Sequence, residues 1–299
     1  MESIVMLSTK IIGGSKSLHI EAIDWHNRVV SNGGSVSQYT LKAVSDFCRG
    51  IDGAGIRSRF LRLNLFCGNN LNACTVPLYR GYSYGGTLYG SSTETNTNFV
   101  SSDYTETGSN KGLNGTTGSK YLDTGLTMGS AYTAGISYAS NHMGIYITNS
   151  DLNTGEWMGA NDTNWGCYDN NAFGWYSFGG NYNGGADNGD HSIQSTLGTT
   201  NNGFAIGTYT SINTGATYRN GIDVTGTVGG LNSEFTAGNT LPLLVCGTSY
   251  SEDGCGTTIN SANTIVAGYS IGLGLTLSQA SSYNNAMQAF QTALGRKIT

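Results

Sequence analysis

The chain has 299 residues, and Gly (45), Thr (35), Ser (32) and Asn (30) make up almost half of them. The net charge is only −5, from 14 basic and 19 acidic side chains, beside 18 Tyr, 9 Phe, 4 Trp and two Pro. Abundant aromatics at low net charge exclude a disordered chain, the scarcity of Pro excludes collagen, and the scarcity of strong helix formers excludes a coiled coil.

What remains is a mostly β protein with many tight turns, because Gly and Asn tolerate positive φ while Thr and Tyr suit strands. No stretch approaches the roughly 20 apolar residues that cross a bilayer. The N-terminus has an acidic second residue, Glu2, and no sustained apolar run, so it does not read as a secretory signal. Synthesis in the cytoplasm and no membrane partner are the expectations.

In chain order, His19 to Val30 carries Ile20, Ile23, Trp25 and Val29 at helical spacing and stops at Asn32-Gly33-Gly34, a C-cap signal. Ser37 then caps a second helix in which Leu41, Val44, Phe47/Cys48 and Ile51 form an i, i+3, i+4, i+7 stripe. Arg57 to Phe66 fits either a helical turn or a strand. From about Val76 the texture changes to short apolar runs broken by Gly and Asn. The expected strands are 120–127, 131–137, 142–149, 156–160, 172–178, 203–211, 216–218, 222–227, 241–247 and 265–275. Their spacing without intervening helices predicts an antiparallel sandwich or barrel. Asn220-Gly221 between alternating residues predicts a type I′ hairpin, whose two central positions both need positive φ. A closing helix is expected after Ser278, with Ala280, Tyr283, Met287, Phe290 and Leu294 on one face and Gly295 ending it.

The hairpin Tyr218–Val224, the run Ala267-Gly-Tyr-Ser-Ile-Gly-Leu-Gly-Leu-Thr-Leu-Ser and the terminal helix resemble the concanavalin A-like, laminin-G-type jelly roll over roughly residues 85–299. The blocks from Asn32 to Cys48, Phe60 to Leu71 and Val76 to Gly81, with the ending Met287 to Arg296, are similar to virion proteins of tailed bacteriophages. These resemblances imply a jelly-roll β-sandwich with a small N-terminal helical segment and a short C-terminal helix, displayed on a virion. Residues 1–80 would form a basic anchoring segment and 81–299 the sandwich. Other virion proteins of capsid or tail and further copies of the chain would be its partners, with glycans as ligands in a lectin-like alternative.

Charge sharpens that division. Residues 1–80 hold nine basic and five acidic side chains, whereas 81–299 hold five basic and fourteen acidic. The acidic body repels phosphate backbones, so nucleic-acid binding is not expected. Arg49, Arg57, Arg59 and Arg62, with Arg80, form the candidate docking patch, against a reading as solvated helix faces and salt links.

Chemistry is sparse. A jelly-roll glycosidase would carry carboxylates in an array such as Glu-x-Asp-x-x-Glu on one strand. Here Asp151, Glu156, Asp162 and Asp169 are spread over loops, and no Gly-x-Ser-x-Gly elbow occurs. The expectation is therefore no enzymatic activity. His19, His26, His142 and His191 share no metal-binding spacing, and no Cys-x-x-Cys occurs among the six cysteines, so zinc is not expected. Cytoplasmic synthesis favours reduced, buried thiols. Calcium is the one cofactor the sequence admits, through Asp187, Asn188 and Asp190, a group that equally suits a plain turn-rich loop. The aromatics Trp157, Trp165, Trp175 and Tyr176 are either sandwich core or a platform on which sugar rings stack.

Overall fold

A computed structural model describes residues 17–107, 111–116, 119–150, 156–161, 172–176, 181–184, 192–195, 202–229, 237–251 and 257–298. The helices are α1 (Ile20–Ser31), α2 (Gln38–Gly53), α3 (Leu71–Cys74), α4 (Met128–Thr133) and α5 (Leu277–Ala293). The strands are β1 (Phe60–Asn64), β2 (Thr95–Thr97), β3 (Tyr104–Thr105), β4 (Gly112–Asn114), β5 (Tyr121–Thr127) and β6 (Asn141–Ser150). They continue with β7 (Glu156–Asn161), β8 (Ala172–Tyr176), β9 (Asn181–Gly184), β10 (Ser192–Ser195), β11 (Gly203–Ser211) and β12 (Thr214–Arg219). The last six are β13 (Ile222–Asp223), β14 (Thr225–Val228), β15 (Pro242–Val245), β16 (Gly247–Ser251), β17 (Thr257–Ser261) and β18 (Thr264–Gly272).

Two sheets form the expected β-sandwich. The first runs β13-β12-β11-β6-β18-β4-β3, with β1 also paired to β18; the second runs β14-β10-β9-β8-β7-β15-β5-β2, with β16 and β17 attached at β7. Pairing is antiparallel except between β7 and β16. Alternation along β6 shows what each face of the first sheet buries. Met143, Ile145 and Ile147 point into a core shared with Trp157, Met158, Phe173 and Trp175 of the second sheet. Tyr146, between them, joins a second core with Trp25, Phe47, Tyr283 and Phe290 of the helices. A period of two thus loads both faces, and β6 is apolar on each.

The helices lie where their stripes predict. Ser37 Oγ accepts the Thr40 N–H at 3.0 Å and starts α2. Leu41, Val44, Phe47 and Ile51 are all buried, as are Ala280, Tyr283, Met287, Phe290 and Leu294 along the closing helix. That helix begins two residues earlier than Ser278 implies, because Thr276 is its cap in a reciprocal pair with Gln279. Arg57 to Phe66 resolves as a 3₁₀ turn at Arg57–Arg59 followed by β1. Asn220 (φ 51°) and Gly221 (φ 83°) make the expected hairpin between β12 and β13. Asn220 Oδ1 also accepts from the Phe204 N–H at 2.8 Å and from Gln288 Nε2 at 3.1 Å, pinning the turn to β11 and α5.

Two expectations need correction. The strand over 131–137 is instead the end of α4 and its exit. Thr127 Oγ1 accepts the Ser130 N–H at 3.0 Å and Ser130 Oγ accepts the Thr127 N–H at 2.8 Å, a capping box written with Ser in place of Glu. The boundary at residue 80 does not separate two cores. Residues 22–79 share theirs with β6, β11, β12, β18 and α5, and β1 is a strand of the first sheet. Arg296 closes the join by donating to the carbonyls of Leu65 at 2.7 Å and Phe66 at 2.8 Å. Cys48, Cys67, Cys74 and Cys246 are free and buried, as expected of reduced thiols.

Candidate binding cleft

A cleft of about 270 Å³ opens between α1 and the loop that follows Arg80. Helical spacing puts Glu21, Asp24 and Arg28 along one side of α1. Arg57 enters from the 3₁₀ turn, and Arg80, Ser83, Tyr84 and Leu88 come from the loop. Gly85 (φ 72°) makes the loop's tight reversal.

Two of the three guanidiniums are spoken for. Arg28 donates to Asp24 Oδ2 at 2.8 Å and to the carbonyls of Pro77 at 2.6 Å and Leu78 at 3.0 Å. Arg57 donates to Glu21 Oε1 at 2.7 Å and to the Gly81 carbonyl at 2.8 Å, and its guanidinium carbon lies 3.7 Å from the centre of the Tyr79 ring. Both therefore shape the wall. Arg80 makes no side-chain hydrogen bond or ion pair among the described residues, and burial together with the neighbouring Arg28 charge pulls its pKa down. Glu21 Oε2 is buried with no hydrogen-bond partner. Burial pushes the Glu21 carboxyl pKa up, against the pull of Arg57. At the rim, Tyr84 is 54% exposed and Leu88 57%. The cleft thus offers a free planar donor fork, the Asp24 carboxylate and an exposed aromatic face. That set suits a ligand bearing hydroxyls on one side and apolar C–H surface on the other.

The residues singled out in the sequence fall elsewhere. Trp157 and Trp175 lie inside the sandwich, at 0% and 1% exposure, with ring centroids 6.2 Å apart. Trp175 Nε1 donates to the Met143 carbonyl across the sheets at 3.1 Å. Neither ring has a face for a sugar, so the core reading holds for both. Tyr176 ends β8 with its side chain outside the described residues, and Trp165, Asp187, Asn188 and Asp190 lie outside them altogether.

Within the arginine patch, Arg49, Arg57 and Arg62 are held by bonds to other parts of the chain. Arg62 is fully buried, 3.3 Å from Glu94 Oε1, and donates to the carbonyls of Ser91 at 2.7 Å and Tyr89 at 3.1 Å. Burial is the largest single influence and opposes its charge, but Glu94 and Tyr269 together hold the guanidinium pKa above its ordinary value. Arg57 serves the cleft wall. Arg49 bonds Asp46 at 2.9 Å and the Ser17 carbonyl. Arg59 is half-buried, with its carbonyl accepting the Leu273 N–H at 2.8 Å. Sequence reasoning missed Glu21, Asp24 and Tyr84. Only the 21, 24, 28 spacing and the Tyr-Ser-Tyr-Gly-Gly run ahead of Leu88 signalled them.

No family model matches the chain, and no curated protein matches it. Among solved structures it is similar to domain 4 of a GH43 extracellular arabinanase from Geobacillus stearothermophilus in complex with arabinotriose. That match has 13% identity and a TM-score of 0.36, over 57% of this chain and 74% of that one. It is also similar to a mutant Trypanosoma rangeli sialidase displaying trans-sialidase activity, at 10% identity and a TM-score of 0.44. Here 85% of this chain is covered but only 39% of the sialidase chain. Identities this low speak to fold alone. The similar chains are an arabinanase domain and a sialidase, so the expectation of no enzymatic activity is not carried further.

Proposed function

We propose that this chain is a structural protein of a tailed-bacteriophage particle, displayed on the virion surface and assembling with other capsid or tail proteins and with further copies of itself. One observation supports the reading. The segments that resemble phage virion proteins lie more than 200 residues apart in sequence, yet they pack together as one layer. Phe47 meets Phe290 edge-on at 5.9 Å, and Arg296 grips the Leu65 and Phe66 carbonyls. A resemblance split across the chain is thus one contiguous piece of structure. Mass spectrometry of gradient-purified particles, with antibody labelling of intact ones, tests it. The chain is expected in the particle and accessible on it; particles that lack it contradict the proposal.

The cleft favours a second reading, glycan binding. Arg80 supplies a free guanidinium for hydroxyl or carboxylate oxygens, and Tyr84 a face for a pyranose ring. On a glycan array the full chain is expected to bind, and Arg80→Ala or Tyr84→Ala to weaken binding at least tenfold. A silent array, or binding unchanged in both variants, contradicts this reading.

A further inference from the structure

Where α1 begins, three side chains of metal-binding type converge. A ring nitrogen of His19, a carboxylate oxygen of Glu21 and the Cys48 sulfur all lie within 4.8 Å of one another. The backbone brings them there. His19 caps α1, and its own N–H donates to Ser45 Oγ at 2.8 Å, which ties the cap to α2 one turn before Cys48. One turn after Cys48, Asp52 Oδ2 sits 2.9 Å from His19 Nε2.

The hydrogen bonds leave on each residue a donor atom that is unpaired or held only by a long contact. An ionised carboxylate only accepts, so the Asp52 contact places the imidazole proton on Nε2 and leaves Nδ1 unprotonated, with its lone pair available. Nδ1 meets only the Glu21 N–H, at a long 3.3 Å. Glu21 Oε1 is held by Arg57, while Oε2 is buried without a partner, on a side chain only 6% exposed. Cys48 is buried and forms no disulfide. A carboxylate that fixes the far nitrogen of a histidine is the support that metal-bound imidazoles ordinarily have.

We propose that His19 Nδ1, Glu21 Oε2 and Cys48 Sγ form a site for a divalent zinc-type cation, with Asp52 orienting the imidazole. One nitrogen, one sulfur and one carboxylate oxygen match the mixed donor preference of Zn²⁺, and a solvent molecule completes four-coordination. Binding releases the Cys48 proton, so thiolate and carboxylate together neutralise the ion. His19, whose side chain is 15% exposed, is the way in from solvent.

The test uses the full chain, stripped with chelator, dialysed against Zn²⁺ and assayed for bound metal. One equivalent is expected in the parent chain. His19→Gln and Cys48→Ala are each expected to lower affinity at least tenfold, and Lys42→Ala to leave it unchanged. Cobalt is expected to give a thiolate-to-metal absorption band that Cys48→Ala removes. Because Cys48 is a core residue, His19→Gln at the partly exposed cap tests the site without depending on the folding of the other variant. A parent chain that binds no stoichiometric zinc, or metal retained by both variants, overturns the proposal.

Discussion

The two faces of the first sheet differ in how their cores are assembled. The inner face packs strand against strand on the second sheet, and its largest side chains are Trp157 and Trp175. The outer face is covered by helices from both ends, so its core unites residues 22–79 with 275–294. Closing a loop that long costs entropy before any contact repays it. The outer core repays it with buried aromatics: Phe60 lies 4.7 Å from Tyr283, and Phe204 lies 4.9 Å from the same ring. The sequence contrast between a helical, basic beginning and a Gly-rich remainder is therefore one of layer, not of domain.

The most drastic way to break this comparison is to remove a layer. A chain lacking residues 1–80 loses β1 and half the outer core, and is expected to be insoluble or to melt without cooperativity in circular dichroism. A sharp, reversible melt in the truncated chain would restore the picture of a separable anchor.

Single substitutions weigh the two cores against each other. Phe290→Ala and Trp175→Ala each create a cavity in a fully packed region, at a cost of about 3–5 kcal/mol. Urea midpoints are expected to fall by similar amounts for both. A near-neutral Phe290→Ala would mean that the helix layer contributes little to global stability.

Acid is expected to act on the outer core. His142 is buried there, edge-on to Phe60 at 5.4 Å, with Nδ1 2.7 Å from the Leu273 carbonyl. Burial is the main cause that pushes its pKa down to about 4 from an ordinary 6.5, with the Leu273 carbonyl opposing. Between those values the unfolded chain binds the extra proton, so this contribution is complete above pH 6.5 and is lost as pH falls towards 4. It amounts to at most about 3 kcal/mol. Urea titrations at pH 7.5 and pH 4 are expected to show a larger acid loss in the parent than in His142→Gln. Equal losses would mean that His142 is not held neutral.

At the small end, Lys42 pairs with Asp46 at 2.5 Å on the exposed side of α2, with both side chains at least half exposed. Lys42→Ala is expected to cost under about 1 kcal/mol, less in salt. A larger loss in a urea melt would mark this face as buried against something.

How far the sequence could be read follows from which signals are local. The stripe from Leu41 to Ile51, the cap at Ser37 and the Asn220-Gly221 turn each lie within one element, so their structure was legible. The α4 helix was not, because a Thr–Ser capping box is a weak written signal and Ala131-Tyr132-Thr133 also suits a strand. Arg62 looked like surface because the burial of a charge depends on its partner, and Glu94 reaches it only in the fold. The cleft and the His19, Glu21 and Cys48 cluster join segments that no spacing connects. The aromatics on β7 and β8 showed the opposite weakness: alternation predicts two faces but not which one meets a second sheet.

The central claim is that helix layer and sandwich unfold as one unit, and native-state hydrogen exchange followed by mass spectrometry tests it most directly. The account predicts that amides in α2, α5, β6 and β7 converge on a common opening free energy as urea rises. Amides of α1 and α2 that exchange through a lower-energy opening while β6 and β7 stay protected would contradict it.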